Sequence, residues 1–128
     1  MWHINDLYGV NAAYPAELLS VIALDNLEAV TARAKQLLDA NRPPLEAFLK
    51  SRADLEYFLP EYGTVVFPKL RNGDVEALDR LLREKYETAI VPGSYFDMPQ
   101  HFRIGIGGDT EMTGIALERL SAALDELR

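Results

Sequence analysis

His101-Phe102-Arg103-Ile104-Gly105-Ile106-Gly107-Gly108 is the stretch whose reading decides the fold. It alternates residue by residue and ends in glycines, the pattern of a strand running into a turn. A helix follows: Asp109 or Thr110 caps it, Glu111 sits favourably in its first turn, and Met112, Ala116, Leu120, Leu124 and Leu127 line one face. Upstream, Ala89-Ile90-Val91-Pro92 reads as a short strand ending at a proline, and Pro92-Gly93-Ser94-Tyr95-Phe96 as a turn. Before that, Val75, Leu78, Leu81, Leu82 and Tyr86 form the apolar face of a helix running to about Glu87, with Asp74 at its N-cap and Asn72-Gly73 as the turn ahead of it. Tyr62-Gly63-Thr64-Val65-Val66-Phe67-Pro68, β-branched and aromatic, is another strand.

The first part of the chain is helical. From Ala16 to Ala53, apolar residues including Leu18, Leu19, Ile22, Leu27, Val30, Ala34, Leu37 and Leu38, then Leu45, Phe48 and Leu49, recur at three- and four-residue spacing. Pro15 suits the first turn of a helix. Pro43-Pro44 removes backbone donors, so a kink or a restart is expected there and the helix is expected in pieces. Residues 1–15 read as an arm whose Trp2, Leu7, Tyr8 and Val10 need a surface to pack on, either this chain's own core or a partner's. The elements sum to an α+β fold over residues 16–128: a two-layer small domain with a long N-terminal helix, a short three-stranded, mostly antiparallel sheet, and helices packed on one face.

Composition removes several function classes. The chain has 128 residues, 48% of them hydrophobic, enough for one packed core. No apolar run approaches the roughly 18 residues of a membrane span, and the N-terminus lacks the pattern of a signal peptide. There is no cysteine, which excludes disulfides, thiolate metal sites and a cysteine nucleophile and suits a reducing cytoplasm. The net charge of −7 and the scattered arginines disfavour nucleic acid. His3 and His101 are far apart with no third ligand suggested, so no metal site is expected. Gly105-Ile106-Gly107-Gly108 lacks the Lys-Ser/Thr of a phosphate loop, and Ser94 has no base pattern beside it. On residues alone, Arg103 reads as a surface arginine paired with Asp97 or Asp109.

Taken in order, Gly63-Thr64-Val65-Val66-Phe67-Pro68, Pro92-Gly93-Ser94-Tyr95-Phe96, Phe102-Arg103-Ile104-Gly105-Ile106-Gly107 and the terminal Glu118-Arg119-Leu120 region resemble the C-terminal small domain of fold type I, class I/II aminotransferases. The long helix over residues 16–53 resembles the one that links that family's large and small domains. The resemblance implies that Arg103 grips the α-carboxylate of an amino-acid or 2-oxo-acid substrate, and that Gly63, Ser94, Tyr95, Phe96 and His101 line the cleft. It also implies pyridoxal phosphate as the cofactor of the complete enzyme. The Schiff-base lysine and the phosphate cup would then belong to a large domain, on the same chain or a separate polypeptide. Lys35, Lys50, Lys69 and Lys85 do not follow the family's serine-rich lysine motif, so no catalytic residue and no bound cofactor are expected on this chain alone. A monomer or a homodimer fits equally. The alternative is a free-standing, non-catalytic α+β module that binds a partner or a small carboxylate, or the remnant of a truncated gene.

Overall fold

The computed structural model describes residues 13–127. The greater part of the expected arm, residues 1–12, lies outside them. Helix α1 spans Tyr14–Asp25 and α2 spans Leu27–Ser51. Strand β1 is Leu55–Glu56, β2 Val65–Val66 and β3 Lys69–Leu70; helix α3, Val75–Lys85, follows. Strand β4, Val91–Pro92, leads into a 3-10 turn over Gly93–Phe96, then β5, Phe102–Gly105, and helix α4, Thr110–Glu126. The chain divides into two compact units, residues 1–34 and 35–128.

In the first unit, α1 begins with Pro15 in its first turn, and none of its residues is buried. The helical stretch breaks at Asn26, not at the prolines. Asn26 leaves helical geometry at φ −118° and ψ 29°, and its Nδ2 donates to the Ile22 carbonyl at 2.9 Å. This is the local side-chain competition that makes asparagine a helix terminator. Helix α2 instead continues through Pro43 and Pro44. The carbonyls of Asp39 and Ala40 lose their amide donors there, but both residues are exposed, which leaves room for water to take the donors' place.

In the second unit, the sheet is three-stranded in the order β2-β5-β4, antiparallel throughout, as the alternation implies. Along β5, Phe102 and Ile104 are buried while Arg103 and Gly105 are exposed, and the alternation carries on through buried Ile106. The inner face packs with Leu45 and Leu49 of α2, Leu78 and Leu82 of α3, and Leu117, Leu120 and Leu124 of α4 in one core. Each is a buried aliphatic residue, and full burial of such a side chain is worth about 1.5–3 kcal/mol. A smaller antiparallel pair, β1 with β3, sets Leu55 opposite Leu70. The sequence pattern does not mark it, because each strand has only two residues.

Two polar anchors hold α2 to this core. Asn41, fully buried, donates from Nδ2 to the carbonyls of Ile106 at 2.8 Å and Gly108 at 2.9 Å. Arg52, just past the end of α2, is also buried. It bonds Asp54, including Nε to Oδ1 at 2.9 Å, and reaches α4 through Ser121 Oγ at 3.2 Å and Asp125 Oδ1 at 2.8 Å. Hydrogen bonding to Asp54 leads the causes that raise the guanidinium's pKa, so the cation stays charged. Arg52→Ala removes the buried bonds to Asp54, Ser121 and Asp125 together and is expected to cost about 3 kcal/mol, read as a lower urea midpoint with an unchanged slope.

A second cluster is set by pH. Glu126 Oε2 accepts from Lys85 Nζ at 2.6 Å and from Tyr86 Oη at 2.9 Å. The bond from Lys85, then that from Tyr86, lowers the Glu126 pKa below its ordinary 4.5. Because the folded value is the lower one, the stabilisation is complete above pH 4.5 and is lost as the pH falls through the folded value. Glu126→Gln is therefore less stable than the native chain at pH 7, and the gap closes as the pH falls below 4.5 in parallel urea titrations.

Candidate functional site

The outer face of the sheet carries the side chains of interest. One constant register runs from Val65↔Gly105 and Val66↔Ile104 to the isolated bridge Lys69↔His101, which puts Phe67 directly opposite Arg103. The Phe102 amide donates to the Pro68 carbonyl at 3.1 Å within that register. On the other side, Val91 of β4 is the cross-strand partner of Arg103. Arg103 is thus exposed on the central strand, between Phe67 and Val91. Neither Asp97 nor Asp109 pairs with it. Among the described residues its charge has no carboxylate partner, and its contact is the ring of Phe96, with Cζ 5.6 Å from the centroid.

The turn that delivers Phe96 is tightly closed. The Gly93 amide donates to the His101 carbonyl at 2.7 Å, the Met98 amide to the Gly93 carbonyl at 2.9 Å, and the His101 amide to the Met98 carbonyl at 2.9 Å. Asp97 closes the 3-10 turn in the left-handed region at φ 57°. Glycine at 93 is required by space: a Cβ there would stand 2.1 Å from the Met98 carbonyl oxygen and 2.5 Å from that of His101. Phe96 then meets Phe67 edge-on with ring centroids 5.8 Å apart, and Phe67 stacks on His101 at 5.1 Å.

Of the other cleft candidates, His101 is half-buried within this cluster, and its Nδ1 is buried without a hydrogen-bond partner. Ser94 is drawn away to α3, donating from Oγ to Glu76 Oε1 at 2.5 Å. Tyr95 is largely exposed. Gly63 is exposed at φ 116°, a conformation that favours glycine. Sequence reading names Phe96 only as a cleft-lining residue and passes over Phe67, although its place in a strand of fixed register is the signal that would pair it with Arg103. A cavity that Arg103 lines with Thr88, Ile90, Thr113 and Leu117 measures about 70 Å³, well below the roughly 300 Å³ at which small-molecule pockets begin.

The lysines do not form a cofactor site. Lys35, Lys50 and Lys85 are exposed and Lys69 is half-buried. A Schiff-base lysine must shed its proton to attack a carbonyl, which calls for a lowered pKa. Lys85 is shifted the other way, raised chiefly by its bond with Glu126, and Lys50 pairs with Glu46 at 3.5 Å. The residues present therefore do not fit pyridoxal phosphate. Among the described residues, no cluster of three His, Asp or Glu side chains could hold a metal, and no helix is long and apolar enough to cross a membrane.

The geometry defines an α+β small domain with an exposed arginine on its central strand that has no carboxylate partner among the described residues. The family profile described as aminotransferase class I and II matches residues 10–120. The chain belongs to that family, and what it comprises is the family's small domain. Among solved structures it is similar to a PLP-dependent aminotransferase from Streptococcus suis, with a TM-score of 0.84 and 22% identity over 97% of this chain and 33% of that one. It is also similar to an aspartate aminotransferase from Thermotoga maritima, with a TM-score of 0.58 and 32% identity over 70% of this chain and 24% of that one. An α-aminoadipate aminotransferase from Thermus thermophilus matches with a TM-score of 0.70 and 26% identity over 87% of this chain and 29% of that one. No curated protein sequence matches. The chain spans a third or less of each of these enzymes. Pyridoxal phosphate is the cofactor that goes with the complete enzyme of this family.

Gly93→Ala tests the turn. Its Cβ forces the loop open, with an expected loss of about 2 kcal/mol and faster hydrogen exchange at the amides of Gly93's hydrogen-bonding partners Met98 and His101.

Proposed function

We propose that this chain is the substrate-recognising part of a PLP-dependent aminotransferase, and that Arg103 receives the α-carboxylate of its amino-acid or 2-oxo-acid substrate. The observation that carries this reading is an exposed arginine on the rigid central strand with no carboxylate partner among the described residues. A guanidinium offers two parallel N–H donors that match the two oxygens of a planar carboxylate, fixing orientation as well as charge. Orientation matters because the Cα–H bond must align with the cofactor's π system for the proton to leave. The walls of a site around this exposed arginine are assigned to a large domain, on the same chain or another. That domain would also bring the cofactor and its lysine. The rest of the cleft edge is assigned to Phe96 and His101, together with Gly63, Ser94 and Tyr95. The cysteine-free composition suits work in a reducing cytoplasm.

The alternative, a non-catalytic module, is separated by one property: whether the chain needs a second domain to turn over substrate. The absence of a fitting lysine favours inactivity of the isolated chain. Incubated with pyridoxal phosphate and reduced with borohydride, it is expected to show no stoichiometric adduct at any single lysine by mass spectrometry. Such an adduct would overturn the assignment of the cofactor lysine to another domain. In a complete enzyme assembled from this chain and a family large domain, Arg103→Lys should raise the amino-acid KM about tenfold or more, the scale of a lost charge-assisted hydrogen bond, and lower turnover. Cofactor affinity should stay nearly unchanged. Loss of cofactor binding instead would show that Arg103 serves another role.

A further inference from the structure

Resting on the reading of Arg103 as the carboxylate-binding group, we infer that Phe96 is its positioning residue, holding the guanidinium in place before any substrate arrives. Arginine has a long side chain with many rotamers, and an exposed one without an ion-pair partner is free to sweep the surface. Arg103 does not stand alone in this way. Its Cζ lies 5.6 Å from the Phe96 centroid, within the distance at which a ring face attracts a cation. A ring, unlike a carboxylate, restrains the guanidinium without occupying the N–H donors that a substrate carboxylate needs. It also brings no negative charge of its own, so it does not offset the charge that an incoming anion meets.

The ring is itself fixed from two directions. Phe67, opposite Arg103 in the sheet register, meets Phe96 edge-on with centroids 5.8 Å apart and is backed by the His101 ring at 5.1 Å. From below, the closed turn fixes the Phe96 backbone: Gly93 bonds His101 and Met98, and no side chain fits at position 93. The Pro92–Phe102 segment thereby acts as a bracket. It leaves β4 opposite Phe102, returns as β5 one residue before Arg103, and carries Phe96 back over that arginine.

The test uses the native 128-residue chain, isotope-labelled, with Arg103 resonances assigned by comparison with Arg103→Lys. The expected result is an upfield ring-current shift of the Arg103 side-chain protons and a restricted Nε–Hε vector. Both should disappear in Phe96→Leu and be retained in Phe96→Tyr. Random-coil shifts in the native chain, or unchanged Nε–Hε order in Phe96→Leu, would overturn the inference. The native shifts need no variant, so they decide the matter even if Phe96→Leu does not fold. Titration with pyruvate then reads the linked function. The Arg103 Nε–Hε signal should respond, with affinity about threefold weaker in Phe96→Leu, the scale of one exposed cation–π contact. Ring-current shifts without any response to pyruvate would uphold the Phe96 contact and overturn the carboxylate reading instead.

Discussion

The pleat of β5 is the constraint on which the rest of the second unit depends. Successive residues of a strand must point to opposite faces, so burying Phe102, Ile104 and Ile106 against the helices forces Arg103 outward. As the central strand of three, β5 cannot slip: a shift of one residue would bury the arginine and expose the core. The fixed register then determines what surrounds Arg103, namely Phe67 on one side and Val91 on the other. The core and the candidate site are two faces of one set of hydrogen bonds.

Around that strand, polar anchors do what apolar packing cannot. Hydrophobic contacts tolerate sliding, but the two hydrogen bonds from Asn41 to Ile106 and Gly108 fix α2 at one height against the strand exit. Arg52 ties the end of the same helix to α4. Both lie within the second unit, and both are buried, where a displaced donor would cost more than at the surface.

Much of this is legible in the sequence because periodicity is a direct record of burial. The three strands of the main sheet, the cap at Asp74 and one of the two residues offered as cap of the last helix, Asp109, follow from pattern; the observed caps accept from Glu76 and Met112 amides as side-chain oxygens should. What pattern misreads is the helix break. Pro43-Pro44 is the stronger breaker by type, but it sits where exposed carbonyls can be hydrated and where Asn41, Leu45, Phe48 and Leu49 hold the helix to the core. Asn26 breaks the helix through a bond to Ile22 that no propensity scale resolves. Asn41 has a faint signal, being the polar residue within the Leu38, Leu45, Phe48 stripe. Arg52 has none, because its partners Ser121 and Asp125 are about seventy residues away. The steric need for glycine at 93 likewise comes from carbonyls of a loop that only the fold brings together.

On the proposed reading, this chain supplies half of a site. An exposed guanidinium with no carboxylate partner among the described residues is suited to receive a carboxylate, while Lys50 and Lys85, each paired with a glutamate, are not suited to hold a cofactor. The most direct measurement of the central claim is a crystal structure of this chain assembled with a cofactor-bearing large domain of the family and a bound 2-oxo acid. The account predicts the acid's carboxylate on the Arg103 guanidinium through two parallel hydrogen bonds, beside Phe96. A carboxylate held by other residues, with Arg103 turned to solvent, would contradict it.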